Sequence, residues 1–174
     1  MKIAVSGSGR DKGTVPKIAE KAKELGKEIA KQGHILLTGG CGGYPKAAAQ
    51  GALEAGGKVI AYSPAKDEAE HVERYGFSAD IFSEVKYTGL GIPERNIPLV
   101  KDSNAVIMIG GKAGTLNEFT LAFHEGKAVG VLKGSGGVTD LIPKIAEVCD
   151  KIGEKDLVVY SDKPKELVKK LISV

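Results

Sequence analysis

The chain has 174 residues, 42% of them hydrophobic and 27% charged, which fits one globular domain with its own core and excludes a disordered chain. Its net charge of +3, from 25 basic and 22 acidic residues mixed along the whole length, is too small a surplus to predict a nucleic-acid groove by itself. No apolar run approaches the ~18–20 residues that span a bilayer, and the opening MKIAVSGSGRDKG lacks a signal peptide's apolar stretch, so a cytoplasmic protein is expected.

Residues 3–6 form the first expected strand, a short apolar run that ends at Gly7-Ser8-Gly9. A helix follows, because Val15, Ile18, Ala19, Ala22, Leu25 and Ile29 share one face at the 3.6-residue period with Lys and Glu opposite. Residues 35–38 make the second strand, leading into Gly39-Gly40-Cys41-Gly42-Gly43 and a helix that Gly56 closes as its C-cap. Residues 59–62 make the third, and a weaker segment at 81–87 adds another. The run 106–109 enters Gly110-Gly111-Lys112-Ala113-Gly114-Thr115, and 129–132 enters Gly134-Ser135-Gly136-Gly137.

Leu141, Ile142, Ile145, Ala146, Cys149 and Ile152 then repeat the helical pattern, which also sets Cys149 on an apolar face. Residues 157–160 form the last strand, and Pro164 opens a final helix carrying Leu167, Val168, Leu171 and Ile172. Short runs of this kind are expected where both sheet faces are covered. Their alternation with helices predicts one three-layer α/β Rossmann-like domain over residues 1–174. Its sheet should be mostly parallel, of six or seven strands, with helices on both faces.

Four glycine clusters each follow a strand, so a parallel sheet brings them to one carboxyl edge, each before a helix N-terminus that attracts anions. Any one cluster is explained by a tight turn. Four on one edge point to a phosphate-bearing small ligand. The first loop is one residue longer than GxGxxG, and the second strand ends at Thr38-Gly39 without an acid for ribose hydroxyls, which disfavours NAD. No P-loop, nucleophile elbow or HExxH occurs, and the two cysteines and three histidines have no ligand spacing, so no metal site is expected. Lys and Glu abound beside three Asn and two Gln, a bias like that of hyperthermophile proteins.

Two further residues stand out. Glu118 lies one turn beyond Thr115, where it either completes a capping box or stands near a bound sugar. Arg95, one of three arginines in the chain, is placed in the first turn of a helix, where its charge opposes the dipole unless an anion holds it.

The run Leu36-Leu37-Thr38-Gly39-Gly40-Cys41-Gly42-Gly43, the Arg95 loop and Gly-Gly-x-x-Gly-Thr-x-x-Glu together resemble the SLOG superfamily. That group includes the lonely-guy phosphoribohydrolases, the molybdenum-cofactor carriers and the Rossmann part of DNA-processing protein A. The resemblance implies that Gly111, Gly114 and Thr115 hold the phosphate of a nucleoside 5′-monophosphate, and the glycine loops of the same edge add Gly7, Ser8, Gly9, Gly39, Gly40, Gly42 and Gly110 to the expected ligand-binding residues. Arg95 and Glu118 would match the active-site pair that hydrolyses the N-glycosidic bond.

The loop has one residue more between Gly111 and Gly114 than the hydrolase form, and Asn96 follows Arg95 where hydrolases carry Lys. The longer loop resembles the carrier branch, which implies molybdopterin as a carried ligand and no required cofactor. Single-stranded DNA binding ranks third, since five Tyr and four Phe without Trp leave few stacking platforms. The family also implies a homodimer or homotetramer.

Overall fold

Valine, isoleucine and leucine runs build seven parallel strands in the computed structural model, which describes residues 1–150 and 153–174. These are β1 (Lys2–Gly7), β2 (Ile35–Thr38), β3 (Val59–Ser63), β4 (Glu84–Tyr87), β5 (Ala105–Ile109), β6 (Ala128–Leu132) and β7 (Val158–Ser161). The sheet order is β4-β3-β2-β1-β5-β6-β7. The chain therefore winds outward from β1 on one side, returns to place β5 against β1, and winds outward on the other. Strand order reverses between β1 and β5, and ligands of open α/β folds bind beside that reversal.

Alternate residues of each strand feed two cores. Ile3, Val5, Leu36, Ile107 and Ile109 face α1 (Pro16–Lys31), α2 (Gly43–Glu54) and α8 (Pro164–Leu171). Ala4, Leu37, Val106, Met108 and Val131 face α5 (Asn96–Asp102), α6 (Ala113–His124) and α7 (Ile142–Cys149). Fully buried side chains such as Leu25, Phe119 and Ile142 contribute roughly 1.5–3 kcal/mol each. The short α3 (Glu68–Glu73) and α4 (Gly91–Glu94) lie in the connections on either side of β4.

Glycine sets the closest approach in the α1, α2 layer. A Cβ on Gly26 would lie 1.8 Å from the Ala48 carbonyl oxygen, and one on Gly51 would lie 1.9 Å from that of Lys23. The helices therefore touch backbone to backbone.

The sheet is wholly parallel, and the expected strands and main helices are present. Boundaries move where a turn competes with the pattern. Residues 81–83 precede β4, which is a half-exposed edge strand, and a 3₁₀ turn at Glu154–Leu157 absorbs Leu157 and starts β7 one residue later. α7 buries Ile142 and Ala146, while Leu141 before it and Cys149 at its end are exposed, so Cys149 is not on an apolar face. Ile152, expected on the same face, lies outside the described residues. No helix among the described residues is long and apolar enough to cross a membrane.

Candidate functional site

Ser6, near the carboxyl end of β1, turns its hydroxyl into the gap at the strand reversal and donates to Oε2 of Glu118 on α6. The other oxygen, Oε1, lies 3.9 Å from Nη1 of Arg95. Arg95 stands between α4 and α5 rather than inside a helical first turn, so the opposing dipole expected for it is replaced by a break between two short helices. The guanidinium packs on Gly39, where any Cβ would lie 1.8 Å from Nη1. Four elements thus bring one cation and one carboxylate together, with Arg95 only 6% and Glu118 only 7% exposed.

The electrostatics of this pair are incomplete. Nε of Arg95 is buried and meets no hydrogen-bond partner among the described residues. At 3.9 Å its Nη1 contact is an ion pair beyond hydrogen-bond length. Burial pushes the Glu118 carboxyl above its ordinary range, against the pull of Arg95 and the Ser6 hydroxyl. Burial likewise pushes the nearby Cys41 thiol up, Arg95 opposing. A buried guanidinium with one N–H left without an acceptor is costly unless an anion completes it.

The loop after β5 ties itself to the loop after β6. Gly110 N–H donates to Ser135 Oγ at 2.8 Å, and the Gly111 carbonyl accepts from Val138 N–H at 2.9 Å. Thr115 folds back over Gly111, close enough to exclude a Cβ there, and no capping box forms with Glu118, which is engaged by Ser6 instead. α6 carries no side-chain cap, and its ladder includes Leu116 N–H to the Lys112 carbonyl at 3.0 Å. The amides of Ala113, Gly114 and Thr115 precede that bond and belong to the first turn, whose N–H groups have no helical acceptor. Ala113 and Gly114 are exposed, and a Cβ on Gly114 would meet nothing within 4 Å. No packing reason requires glycine at 114.

The loop after β2 has a different environment. Gly43 N–H donates to Asp11 Oδ1 at 2.7 Å and Tyr44 N–H to the Ser8 carbonyl at 3.0 Å, so the chain's own groups cover the start of α2. Gly9 packs on Cys41, Gly42 lies beside the Asp11 carboxylate, Gly40 lies over the His71 ring, and Gly7 approaches the Ile109 carbonyl across the β1–β5 step. The expected site residues therefore divide. Gly110, Gly111, Gly114 and Thr115 lie at or just before the start of α6, Gly39 and Gly40 pack on Arg95 and His71, Gly7 packs on β5, and Ser8, Gly9 and Gly42 lie at the clasp on α2. Among the described residues, no three His, Cys, Asp or Glu side chains gather as a metal-binding group.

Sequence reasoning missed Ser6 and Asp11. Ser6 carries a weak signal, the one hydroxyl in the first strand's run, whereas Asp11 reaches α2 by a contact that no spacing encodes.

The SLOG cluster 4 family model matches residues 1–168. A protein of Archaeoglobus fulgidus with no assigned function is 37% identical over 134 residues, 76% of this chain and 80% of that one. The molybdenum cofactor carrier protein of Chlamydomonas reinhardtii is 30% identical, with 99% of this chain and 98% of that one covered at a TM-score of 0.78. The molybdenum cofactor binding protein of Rippkaea orientalis is 31% identical, covering 98% and 96%, at a TM-score of 0.77. DNA processing protein A of Streptococcus pneumoniae, at 19% identity, a TM-score of 0.72 and 97% and 61% coverage, shares the fold alone.

Proposed function

Because the chain belongs to the SLOG cluster 4 family, we propose that it binds and holds a phosphorylated small molecule, of the molybdenum-cofactor kind, at the open start of α6. The observation that carries this reading is the buried Arg95 guanidinium with its unpartnered Nε, set beside Glu118 of the same helix. An anion arriving there supplies the missing acceptor and meets the first-turn amides of α6, with Gly114 allowing close backbone approach. The similarity to a molybdenum cofactor carrier and to a molybdenum cofactor binding protein favours a phosphorylated pterin as cargo.

Titration calorimetry with molybdopterin, with inorganic phosphate as competitor, tests the reading. Saturable binding that phosphate displaces and Arg95→Met abolishes supports it, and absence of binding refutes it.

A second reading, phosphoribohydrolase action on a nucleoside 5′-monophosphate, is favoured by Glu118. A buried carboxyl held above its ordinary range beside a guanidinium suits proton donation to a departing base or stabilisation of an oxocarbenium-like sugar. Release of adenine from AMP by the wild type, lost in Glu118→Gln, is its signature. Binding of AMP without release leaves the carrier reading in place.

A further inference from the structure

Behind Cys41 lies a cavity of about 330 Å³ between the loop after β1, the start of α2 and residues 76–82. Its polar wall carries Arg10, Lys12 and Lys46, and its apolar wall carries Phe77, Ile81 and Phe82. Gly40 and Cys41 line it, and these directly follow Gly39, on which the Arg95 guanidinium rests. The cavity therefore adjoins the phosphate site along two residues of chain.

Charge is unevenly placed here. Three cations, Arg10, Lys12 and Lys46, share the lining with the Asp11 carboxylate, and Lys46 also lies within electrostatic reach of Asp80. Asp11 offsets them only in part: Oδ1 accepts from Gly43 N–H at 2.7 Å and Oδ2 forms an ion pair with Lys46 Nζ at 3.9 Å, while among the described residues neither Arg10 nor Lys12 has an ion-pair partner. On the charged face of α1, Lys23 and Lys27 lie 2.6 and 3.1 Å from Glu54, and the hollow there of about 350 Å³ mixes both signs. A mainly cationic concave wall over apolar surface concentrates the field in the cleft.

We propose that this cavity is a second subsite of the same ligand site, taking a second anionic group carried on a flat, apolar body. The proposal rests on the phosphate reading above and extends it: the cognate ligand has anions at both ends, one at α6 and one among Arg10, Lys12 and Lys46. The flat body lies against Phe77, Ile81 and Phe82. Asp11 holds the start of α2 until that second anion enters.

The test compares AMP with adenosine 3′,5′-bisphosphate by titration calorimetry on the full chain, in wild type, Lys46→Met, Arg10→Met and the distant control Lys169→Met. The bisphosphate is expected to bind at least about tenfold more tightly than AMP, as one added charge-assisted contact provides. That gain should fall severalfold in Lys46→Met and in Arg10→Met, persist in Lys169→Met and shrink with added salt. Equal affinity for the two nucleotides overturns the subsite while leaving the phosphate reading intact. A gain untouched by both cavity variants, or lost equally in Lys169→Met, also overturns it. If neither nucleotide binds, the subsite is overturned, and the phosphate reading is decided by the molybdopterin titration alone. Arg10 is exposed, so Arg10→Met keeps its fold and the comparison stands even if Lys46→Met does not.

Discussion

Gly114 separates ligand chemistry from folding at a single position. Glycine in a helix costs about 0.5–1 kcal/mol relative to alanine, and here no neighbour lies within 4 Å of the missing Cβ. Gly114→Ala is therefore expected to raise the unfolding free energy by up to about 1 kcal/mol and to weaken phosphate binding about tenfold or more. Denaturant melts paired with calorimetry check both halves, and unchanged affinity would show that no anion approaches this turn. Glu118 gives a second test. Its folded-state value is raised, so the stabilisation it contributes is fully present below its unfolded value and is lost as pH climbs through the folded one. Wild type should lose stability relative to Glu118→Gln as pH rises from about 4.5, and parallel stability profiles would contradict the raised carboxyl. Arg95 stood out in the sequence as a cation placed at a helix start, and Glu118 by its spacing one turn beyond Thr115. Their partners were not, because Ser6 and Gly39 meet them only once β1 and β2 stand side by side.

At the scale of elements, the backbone contact between α1 and α2 uses two glycines that helix periodicity ranks as weaknesses. Gly26→Ala improves intrinsic propensity, yet its methyl would press on the Ala48 carbonyl, which belongs to a helix backbone and cannot swing aside. The expected result is a net loss of about 1–3 kcal/mol, read as a lower urea midpoint at unchanged slope. A neutral or raised midpoint would mean that the helices separate freely. His71 fastens α3 to β3 through Ser63 Oγ at 2.8 Å, with Phe77 and Tyr87 against its ring edges. Burial lowers its pKa, with the Ser78 backbone pulling the other way, so the folded chain resists protonation. Stability from this source is present above about pH 6.5 and is lost as pH falls below it. Amide exchange in α3 should quicken on acidification before exchange in α6 does. Strand and helix existence followed from periodicity, but the boundaries of β4, β7 and α7 did not. There an edge strand, a 3₁₀ turn and a half-buried helix give tertiary context the deciding role.

For the molecule as a whole, the proposed ligand grips cross the strand reversal. Arg95 closes the excursion that β2, β3 and β4 make on one side of β1, and α6 starts the return through β5 on the other. The alternation of runs made this topology readable, because parallel strands with right-handed crossovers leave few arrangements. What it left unread was which glycine loops stay open, since Asp11 and Ser8 cover the start of α2 while no side chain caps α6. A ligand bound across the two halves cannot survive the separation of either, so its binding energy adds to global stability instead of to one loop. At about a hundredfold over Kd it contributes about 2.7 kcal/mol. For a chain of this size, that is an upward shift of roughly 5–10 °C in Tm. Calorimetric scans should show one transition moving as a unit in the wild type, and no movement in Arg95→Met at the same ligand concentration. A ligand that split the transition in two would place its contacts within a single half and remove Arg95 from the site.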